Sequence, residues 1–113
     1  MLHFQKLDVY QRAIEFLAVA NRIRGQLGKG NADLADQLRR ASQSIPQNIA
    51  EGCGRTARAD KARHYTIARG SVMECAAHLD IMKIDELIEA GLYAQGIALL
   101  ERMVAMLTKL LGP

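Results

Sequence analysis

The residues of this sequence that come closest to a catalytic arrangement are an arginine and a histidine. Arg58 and His64 have five residues between them, a spacing also found in helical-bundle ribonucleases, where a histidine can act as general base. With ten arginines and three histidines in the chain, a chance match to so loose a spacing is unsurprising. His64 also adjoins Tyr65, a predicted core residue, and can equally be packed at the edge of the core. We therefore expect no catalytic residue and no enzymatic activity.

Residue types that hold metals and phosphates are present, but their spacing does not build a site. Cys53 and Cys75 have neither the number nor the pairing of a zinc site or a disulfide framework, and are interpreted as reduced thiols. Gly52 and Gly54 are not a phosphate-binding loop, because no predicted strand precedes them and no Gly-Lys-Ser or Gly-Lys-Thr follows. The sequence therefore predicts no metal ion and no cofactor.

Positive charge is concentrated in the middle of the chain. The formal net charge is +3, but residues 37–70 hold seven basic and two acidic residues, whereas residues 71–113 hold three basic and six acidic residues. This asymmetry predicts a surface that faces a polyanion, or subunits whose opposite ends attract each other. A solvated helix face explains the same charges about as well.

Five basic residues are the predicted contacts with the phosphate backbone of RNA or DNA: Arg40, Arg55, Arg58, Lys61 and Arg63. All but the first cluster near the start of the third predicted helix, where free N–H groups already attract anions and added cations strengthen the attraction. Contacts of this kind bind without reading base sequence. Because the chain has only two Phe, three Tyr and no Trp, base stacking is expected to contribute little.

The composition indicates a helical scaffold for these residues. Half of the chain is hydrophobic but only 4% is aromatic, so Leu, Ile, Ala and Met must fill the core, and most of these are good helix formers. The length of 113 residues fits a single domain over residues 1–113. No apolar run is long enough for a membrane span and no secretion signal is visible, so we expect a cytoplasmic protein without a membrane partner.

Apolar periodicity predicts four helices, of which the first two lie before residue 55. The stripe of the first helix consists of Leu7, Tyr10, Ile14 and Leu17, and continues through Ala20 or Asn21 to Ile23 and Leu27. The stripe of the second consists of Leu34, Leu38, Ala41, Ile45, Ile49 and Cys53. Because this second stripe continues in phase across Pro46, one kinked helix is favoured, and two short helices broken before the proline are the alternative.

The third helix is predicted to be long, from about Ala57 to Glu89, with Gly91 as its stop. It carries a core stripe of Tyr65, Ala68, Val72, Cys75, Leu79 and Met82. The fourth helix carries Tyr93, Ile97, Leu100, Leu107 and Leu111, together with Met103 or Val104. Since short connections favour antiparallel neighbours, the predicted fold is an all-α, antiparallel up-down-up-down four-helix bundle with a proline-kinked second helix.

The third helix also has a second apolar stripe, almost opposite the first. A bundle core needs only one stripe from each helix, and the small residues Gly70 and Ala77 let another backbone come close. We therefore predict a homo-oligomer in which a second subunit buries Ile67, Ala77, Ile81, Ile84 and Ile88. The alternative is that the first and fourth helices straddle the third and cover both stripes within one monomer.

Three elements of the sequence resemble a known family. Residues 38–41 read Leu-Arg-Arg-Ala, residues 44–52 read Ser-Ile-Pro-Gln-Asn-Ile-Ala-Glu-Gly, and residues 68–74 read Ala-Arg-Gly-Ser-Val-Met-Glu. These elements resemble the pattern of the four-helix-bundle proteins first noticed in intervening sequences of bacterial 23S ribosomal RNA genes. The helical layout extends the resemblance to nearly the whole chain. The accessory variability protein of diversity-generating retroelements, which binds nucleic acid and a reverse transcriptase, is similar in fold.

The resemblance implies a left-handed bundle with the proline inside the second helix, a ring-like homopentamer and a basic surface that meets nucleic acid. It implies no known reaction, because most members of the family have no established biochemical role. The structural motif residues that it singles out are Arg39, Ser44, Pro46, Asn48, Glu51, Gly52, Gly70, Ser71 and Glu74.

The chemistry of the motif residues suggests separate roles for them. Asn48, Ser44 and Glu51 have donors and acceptors that could satisfy the backbone groups disturbed by the proline. Arg39 flanks the apolar stripe of the second helix, so its guanidinium can either form an ion pair with Glu74 or contact nucleic acid.

Two functional hypotheses follow from the sequence. The first is a non-catalytic, homo-oligomeric bundle that binds the backbone of RNA or DNA, or acts as a ribonucleoprotein assembly factor. The alternative is a protein-binding adaptor or scaffold, with a protein partner such as a reverse transcriptase, in which the basic patch is merely solvated.

Overall fold

Four long helices make up the protein. The computed structural model describes residues 1–113, and its helices are α1 (Asp8–Gln26), α2 (Ala32–Gly54), α3 (Arg58–Ile84) and α4 (Ala90–Leu111). Short 3-10 turns, His3–Lys6 and Lys29–Asn31, precede α1 and α2. The chain contains no strand, which confirms the predicted all-α class. None of the four helices combines the length and the apolar character needed to cross a membrane.

The helices pack in a ring around a shared core. α2 lies next to α1 and α3, α4 lies next to α3 and α1, and the two diagonal pairs have no Cα atoms within 8 Å of each other. The molecule measures 44 × 24 × 22 Å. Because a helix with its side chains is about 10 to 12 Å across, the two short dimensions correspond to two helices side by side.

α2 and α3 turn their predicted stripes into the core. Leu38, Ile45 and Ile49 of α2 are completely enclosed. The whole predicted core stripe of α3 is buried as well: Tyr65, Ala68, Val72, Cys75, Leu79 and Met82. These two stripes are therefore confirmed, and they provide the central layer of the molecule.

α1 turns a different face to the core from the predicted one. Its buried residues are Val9, Ala13, Phe16, Val19, Ala20 and Ile23. Ile14 is 42% exposed, and Tyr10 and Leu17 are only partly buried. The helix has two adjacent apolar faces, and the face with the small residues Ala13 and Ala20 lets the α1 backbone approach its neighbours most closely. The predicted stripe of α1 is therefore wrong in its first half, at Tyr10, Ile14 and Leu17, and is confirmed at Ala20 and Ile23.

Pro46 lies buried within a single continuous helix of 23 residues. The proline has no N–H, so the carbonyl of Ser42 lacks its usual helical donor at that point. Ile45 and Ile49 lie on either side of the proline in the same core, and a break there would rotate one of them out of it. The alternative of two short helices is therefore wrong.

α3 ends at Ile84, five residues before its predicted end. Glu86 adopts a left-handed conformation with a φ of 57°, and the N–H of Leu87 donates to the carbonyl of Met82 at 2.8 Å. The N–H of Glu86 donates to the carbonyl of Lys83 at 3.2 Å. These two bonds form a Schellman closure, in which a glutamate stands where glycine is usual. Leu87 then packs back against the core.

Ile88 therefore does not lie on the outer face of α3. It belongs to the connection between α3 and α4, where it is partly buried against the core of its own chain. Its predicted position beside Ile81 and Ile84 is wrong because the chain leaves the helix at residue 85. Gly91, predicted as the stop of the third helix, lies in the first turn of α4.

Cys75 provides a chemical test of the core. Burial raises the pKa of its thiol to about 12, and the Glu74 carboxylate beside it adds to the shift. The thiolate, which is the reactive form, is therefore almost absent at pH 8. In a Cys53→Ser chain we expect Ellman's reagent to label Cys75 only after unfolding in guanidinium. Equal labelling rates for the folded and unfolded chains would contradict the enclosed position.

Gly52 marks the closest approach of α2 and α3. A Cβ atom at this position would lie 2.6 Å from Cε1 and 2.9 Å from Cδ1 of the Tyr65 ring. Because that ring is held in the core, Gly52→Ala should lower the free energy of unfolding by about 1 to 3 kcal/mol through overpacking. Urea unfolding followed by circular dichroism measures the change.

Gly25→Ala in α1 is the matched control for this substitution. The added Cβ has no atom within 4 Å, so nothing has to move. Because alanine favours the helix over glycine, the free energy of unfolding should stay the same or rise by up to about 1 kcal/mol. Equal destabilisation by the two substitutions would show that the contact with Tyr65 is not the cause.

Candidate functional site

Polar side chains of two signature elements meet where α2 packs on α3. Ser71 Oγ donates to Ser44 Oγ at 2.8 Å, and Asn48 Nδ2 donates to the Ser44 carbonyl at 2.9 Å. On the other side of the asparagine, His64 Nδ1 lies 3.0 Å from Asn48 Oδ1. These four residues, here called the α2–α3 polar network, tie the two helices together with directional bonds.

The hydrogen bonds of Asn48 determine the tautomer of His64. The Asn48 amide nitrogen donates to Ser44, so Oδ1 can only accept and the hydrogen must lie on His64 Nδ1. His64 Nε2 faces the Arg63 guanidinium at 3.5 Å, and the histidine is only 8% exposed. Both ring nitrogens thus have partners within the protein. This geometry favours the packed core-edge interpretation of His64 over a general base.

The α2–α3 polar network does not repair the backbone at Pro46 in the predicted way. No side chain donates to the carbonyl of Ser42, the group that the proline leaves without a partner. Asn48 bonds the carbonyl of Ser44 instead, and Glu51 accepts a hydrogen bond from Arg55 at 3.0 Å. The motif residues therefore connect α2 to α3 and to the turn that follows α2.

The ion pair expected between Arg39 and Glu74 does not form. Arg39 Nη2 lies 2.7 Å from Asp36 Oδ1, and Glu74 pairs with His78 at 3.4 Å. Arg40 Nε lies 3.3 Å from the second oxygen of Asp36. The hydrogen bond from Arg39, followed by the charges of nearby arginines, holds the pKa of Asp36 below its ordinary value. One carboxylate therefore serves both motif arginines, within their own helix.

Four of the five predicted nucleic-acid contacts lie in the turn between α2 and α3 or in the first two turns of α3. We call these residues the basic end: Arg55, Arg58, Lys61 and Arg63. Arg58 and Arg63 are exposed and form no ion pair with a carboxylate, whereas Arg55 pairs with Glu51 at 3.0 Å. The basic end therefore keeps two guanidinium groups at the surface that have no carboxylate partner.

Lys61 has a structural role that the sequence did not reveal. Its Nζ donates to the carbonyls of Gly52 at 3.3 Å and Cys53 at 3.2 Å, the last turn of α2. Carbonyls at a helix C-terminus lack helical donors and carry partial negative charge, so a lysine there stabilises the helix end. The sequence does not predict this contact, because the contact depends on how closely α3 packs against α2.

Arg40 lies apart from the basic end. It lies on α2 fifteen positions before Arg55, the residue that follows the helix, which places the two about 22 Å apart along the axis. Its guanidinium is exposed but shares Asp36 with Arg39. The structure therefore separates the five predicted nucleic-acid contacts into a cluster of four and one distant residue.

A polar depression on α2 connects the α2–α3 polar network with the basic end. It has a volume of 830 Å³ and is lined by Gln47, Asn48, Ala50, Glu51, Gly54 and Arg55. Gln47 is the one polar member that sequence reasoning missed, because it is the variable position of the Ser-Ile-Pro-x-Asn signature. No three His, Cys, Asp or Glu side chains anywhere in the chain come close enough to hold a metal ion.

The outer face of α3 is apolar and uncovered. Ile67 is 40% exposed, Ile81 48% and Ile84 82%. Ala77 is exposed, and a Cβ atom added at Gly70 would have no atom within 4 Å. Because these side chains stay exposed in the single chain, the alternative in which α1 and α4 cover both stripes of α3 is wrong.

The fold and the site define a class of protein: all-α chains of four helices with the Ser-Ile-Pro-x-Asn-Ile-Ala-Glu-Gly element where α2 meets α3. The family model of the 23S rRNA-intervening sequence proteins matches residues 5–109, and the chain belongs to that family. The family resemblance of the three sequence elements is thereby confirmed.

A solved structure from Bacteroides thetaiotaomicron VPI-5482 is similar in fold. It is described as a protein with unknown function from the S23 ribosomal protein family, and it superposes with a TM-score of 0.84 at 20% sequence identity. The match covers 93% of this chain and 96% of that chain. Comparison with curated proteins gave no match.

Asn48→Ala tests the α2–α3 polar network. The substitution leaves the buried Nδ1–H of His64 without an acceptor and removes the amide donor to the Ser44 carbonyl and hydroxyl. We expect the free energy of unfolding to fall by about 1 to 3 kcal/mol, the range for an unsatisfied buried donor. Gln47→Ala, next to it on the exposed side of α2, should change this value by no more than about 0.5 kcal/mol. Equal effects at both positions would contradict the network.

Proposed function

We propose that this protein is a non-catalytic, homo-oligomeric helical bundle that binds the phosphate backbone of RNA or DNA and acts in ribonucleoprotein assembly. The observation that carries the proposal is the basic end. Arg58 and Arg63 are exposed without acidic partners there, and Lys61 adds positive charge beside them, whereas Glu51 balances the charge of Arg55. Guanidinium groups that the protein does not neutralise are well suited to phosphate oxygens.

The family of the chain supports an RNA context for this surface. Its members are described as 23S rRNA-intervening sequence proteins, which associates them with the genes of a large structured polyanion. The basic end is poor in aromatic side chains, so binding should depend on backbone charge and not on base identity. Arg40 would contact a second stretch of the same backbone, about 22 Å away along α2.

A non-catalytic role agrees with the surroundings of His64. A general base must reach the proton that it removes, and this ring is mostly buried with a partner at each nitrogen. Arg58 is six positions away on α3, which corresponds to about 120° around the helix. The two residues of the ribonuclease-like spacing therefore point in different directions.

We infer an antiparallel up-down-up-down arrangement with a kink of α2 at Pro46. The inference rests on contacts in which residue numbers rise along one helix and fall along the next. The α2–α3 contacts are Ser44 with Ser71 and Asn48 with His64, and the α3–α4 contacts are Arg69 with Thr108 and Asp80 with Tyr93. A proline inside a helix bends it by clashing with the carbonyl four residues earlier.

Self-association into a cytoplasmic homopentamer completes the proposal. The uncovered isoleucines of α3 support assembly, because apolar side chains on the outside of a small protein mark interaction surfaces. The homopentamer itself comes from the family resemblance. Light scattering on the purified chain gives the subunit number directly.

The salt dependence of binding tests the nucleic-acid proposal. Fluorescence anisotropy with a labelled RNA oligonucleotide of arbitrary sequence should give an affinity that falls steeply as salt rises, since bound phosphates release counterions. Arg58→Glu with Arg63→Glu should weaken binding to all sequences alike. It should also reduce the slope of log affinity against log salt concentration by about 2 in magnitude. An affinity that is the same at low and moderate salt would overturn the proposal.

The control for this variant carries the same charge change at the opposite end of the molecule. Arg22→Glu with Lys29→Glu alters two exposed cations that form no ion pair, at the end of α1 and in the turn after it. Binding should weaken far less than in the Arg58 and Arg63 variant. Equal losses would show that total charge, and not the basic end, sets the affinity.

The alternative function is a protein-binding adaptor, with a partner such as a reverse transcriptase. The uncovered apolar face of α3 favours it, because binding a phosphate backbone does not require isoleucines at the surface. Purification at low salt distinguishes the two functions. The chain has no Trp and three Tyr, so co-purified nucleic acid would dominate the ultraviolet absorbance, whereas an adaptor would purify without it.

A further inference from the structure

Positive charge continues from the basic end onto the start of α1 and the end of α4. In the antiparallel arrangement inferred above, α1 and α3 begin and α2 and α4 end on the same side of the molecule. Arg58 Nη2 lies 3.8 Å from where a Cβ atom of Gly112 would be, and Arg69 of α3 donates to Thr108 Oγ1 in the last turn of α4 at 3.2 Å. We call this surface, formed by two helix starts and two helix ends, the four-helix end.

Two lysines lie on the α1–α4 side of the four-helix end. Lys109, in the last turn of α4, lines a depression together with residues 7–9 at the start of α1. Lys6 comes immediately before that segment, in the 3-10 turn that lies next to α2. Both lysines are exposed and neither forms an ion pair. The next acidic residues on these helices, Glu15 and Glu101, lie about two turns further from the end.

Most carboxylates of the four-helix end are already paired with arginines. Asp8 lies 3.8 and 3.7 Å from the guanidinium nitrogens of two arginines, one on α1 and one on α4, and Glu51 pairs with Arg55. Asp60, in the first turn of α3, is the one carboxylate of this end without an ion pair. Four exposed cations have no carboxylate partner either, two on each side of the end: Arg58 and Arg63, and Lys6 and Lys109.

The spacing of the two pairs of cations matches the two backbones of a duplex. The axes of packed neighbouring helices lie about 8 to 10 Å apart, so the diagonal from α3 to α1 is about 11 to 14 Å. The two phosphate backbones of B-form DNA border a major groove that is about 12 Å wide. A short single strand has one backbone and reaches one pair of cations, whereas a duplex reaches both pairs.

We propose that the four-helix end binds a double-stranded nucleic acid, with Arg58 and Arg63 on one phosphate backbone and Lys6 and Lys109 on the other. The inference rests on the phosphate binding in the proposed function, and adds the two lysines and the double-stranded form of the ligand. A DNA duplex and an RNA duplex share this pair of backbones. Contacts with phosphates hold the duplex in place without distinguishing its base sequence.

Charge reversal of the two lysines tests the second side of the site. Lys6→Glu with Lys109→Glu should weaken binding of a labelled duplex of about ten base pairs, one helical turn, as much as Arg58→Glu with Arg63→Glu does. The salt dependence of log affinity should become shallower by about 2. Fluorescence anisotropy is measured with a DNA duplex and with an RNA duplex of the same sequence, and a loss on either one identifies that source. On one separated strand, reversal of the lysines should cost far less affinity.

The outcomes separate failure of this inference from failure of the proposed function. If the arginine variant loses binding while the lysine variant binds both duplexes as the Arg22→Glu with Lys29→Glu control does, only the second side of the site is overturned. Equal losses of the lysine variant on duplex and single strand would overturn the assignment to a duplex. If all three variants bind alike, the proposed function fails as well. If circular dichroism shows a loss of helix, Lys6→Gln with Lys109→Gln removes the same two charges and should give the same change in salt dependence.

Discussion

The close approach of α2 and α3 at Gly52 is the constraint on which the rest of the structure depends. The Tyr65 ring occupies the space where a Cβ atom of residue 52 would lie, so the two helices touch where α2 ends. This contact brings Lys61 onto the last carbonyls of α2 and sets His64 beside Asn48. The basic end and the α2–α3 polar network are thus two consequences of one tight turn.

The parts of the fold that could be predicted are those where one helix face is clearly the most apolar. Leu38, Ile45 and Ile49 on α2, and the first stripe of α3, were assigned correctly because polar residues surround them. α1 has apolar residues on two adjacent faces, and periodicity cannot decide between them. Ala13 and Ala20 determine which face of α1 is buried, because their small side chains let the neighbouring helices pack closely against that face.

The candidate site could be predicted in its composition but not in its contacts. Lys61 was recognised as a cation, yet the carbonyls that it binds belong to another helix and carry no sequence signal. The end of α3 was missed for a related reason, since a glutamate occupies the left-handed position where glycine usually marks a helix stop. At both places the structure is determined by packing between distant parts of the chain, which local helix propensity does not indicate.

The proposed assembly and the proposed binding surface reinforce each other through geometry. A ring-like homopentamer repeats one orientation around its axis, so the basic ends of all subunits would lie at the same height along that axis. One basic end offers few phosphate contacts, but several on one polyanion raise the effective concentration of each further contact. Ile81 and Ile84 lie at the opposite end of α3 from the basic end, so assembly through them leaves Arg58 and Arg63 free to bind.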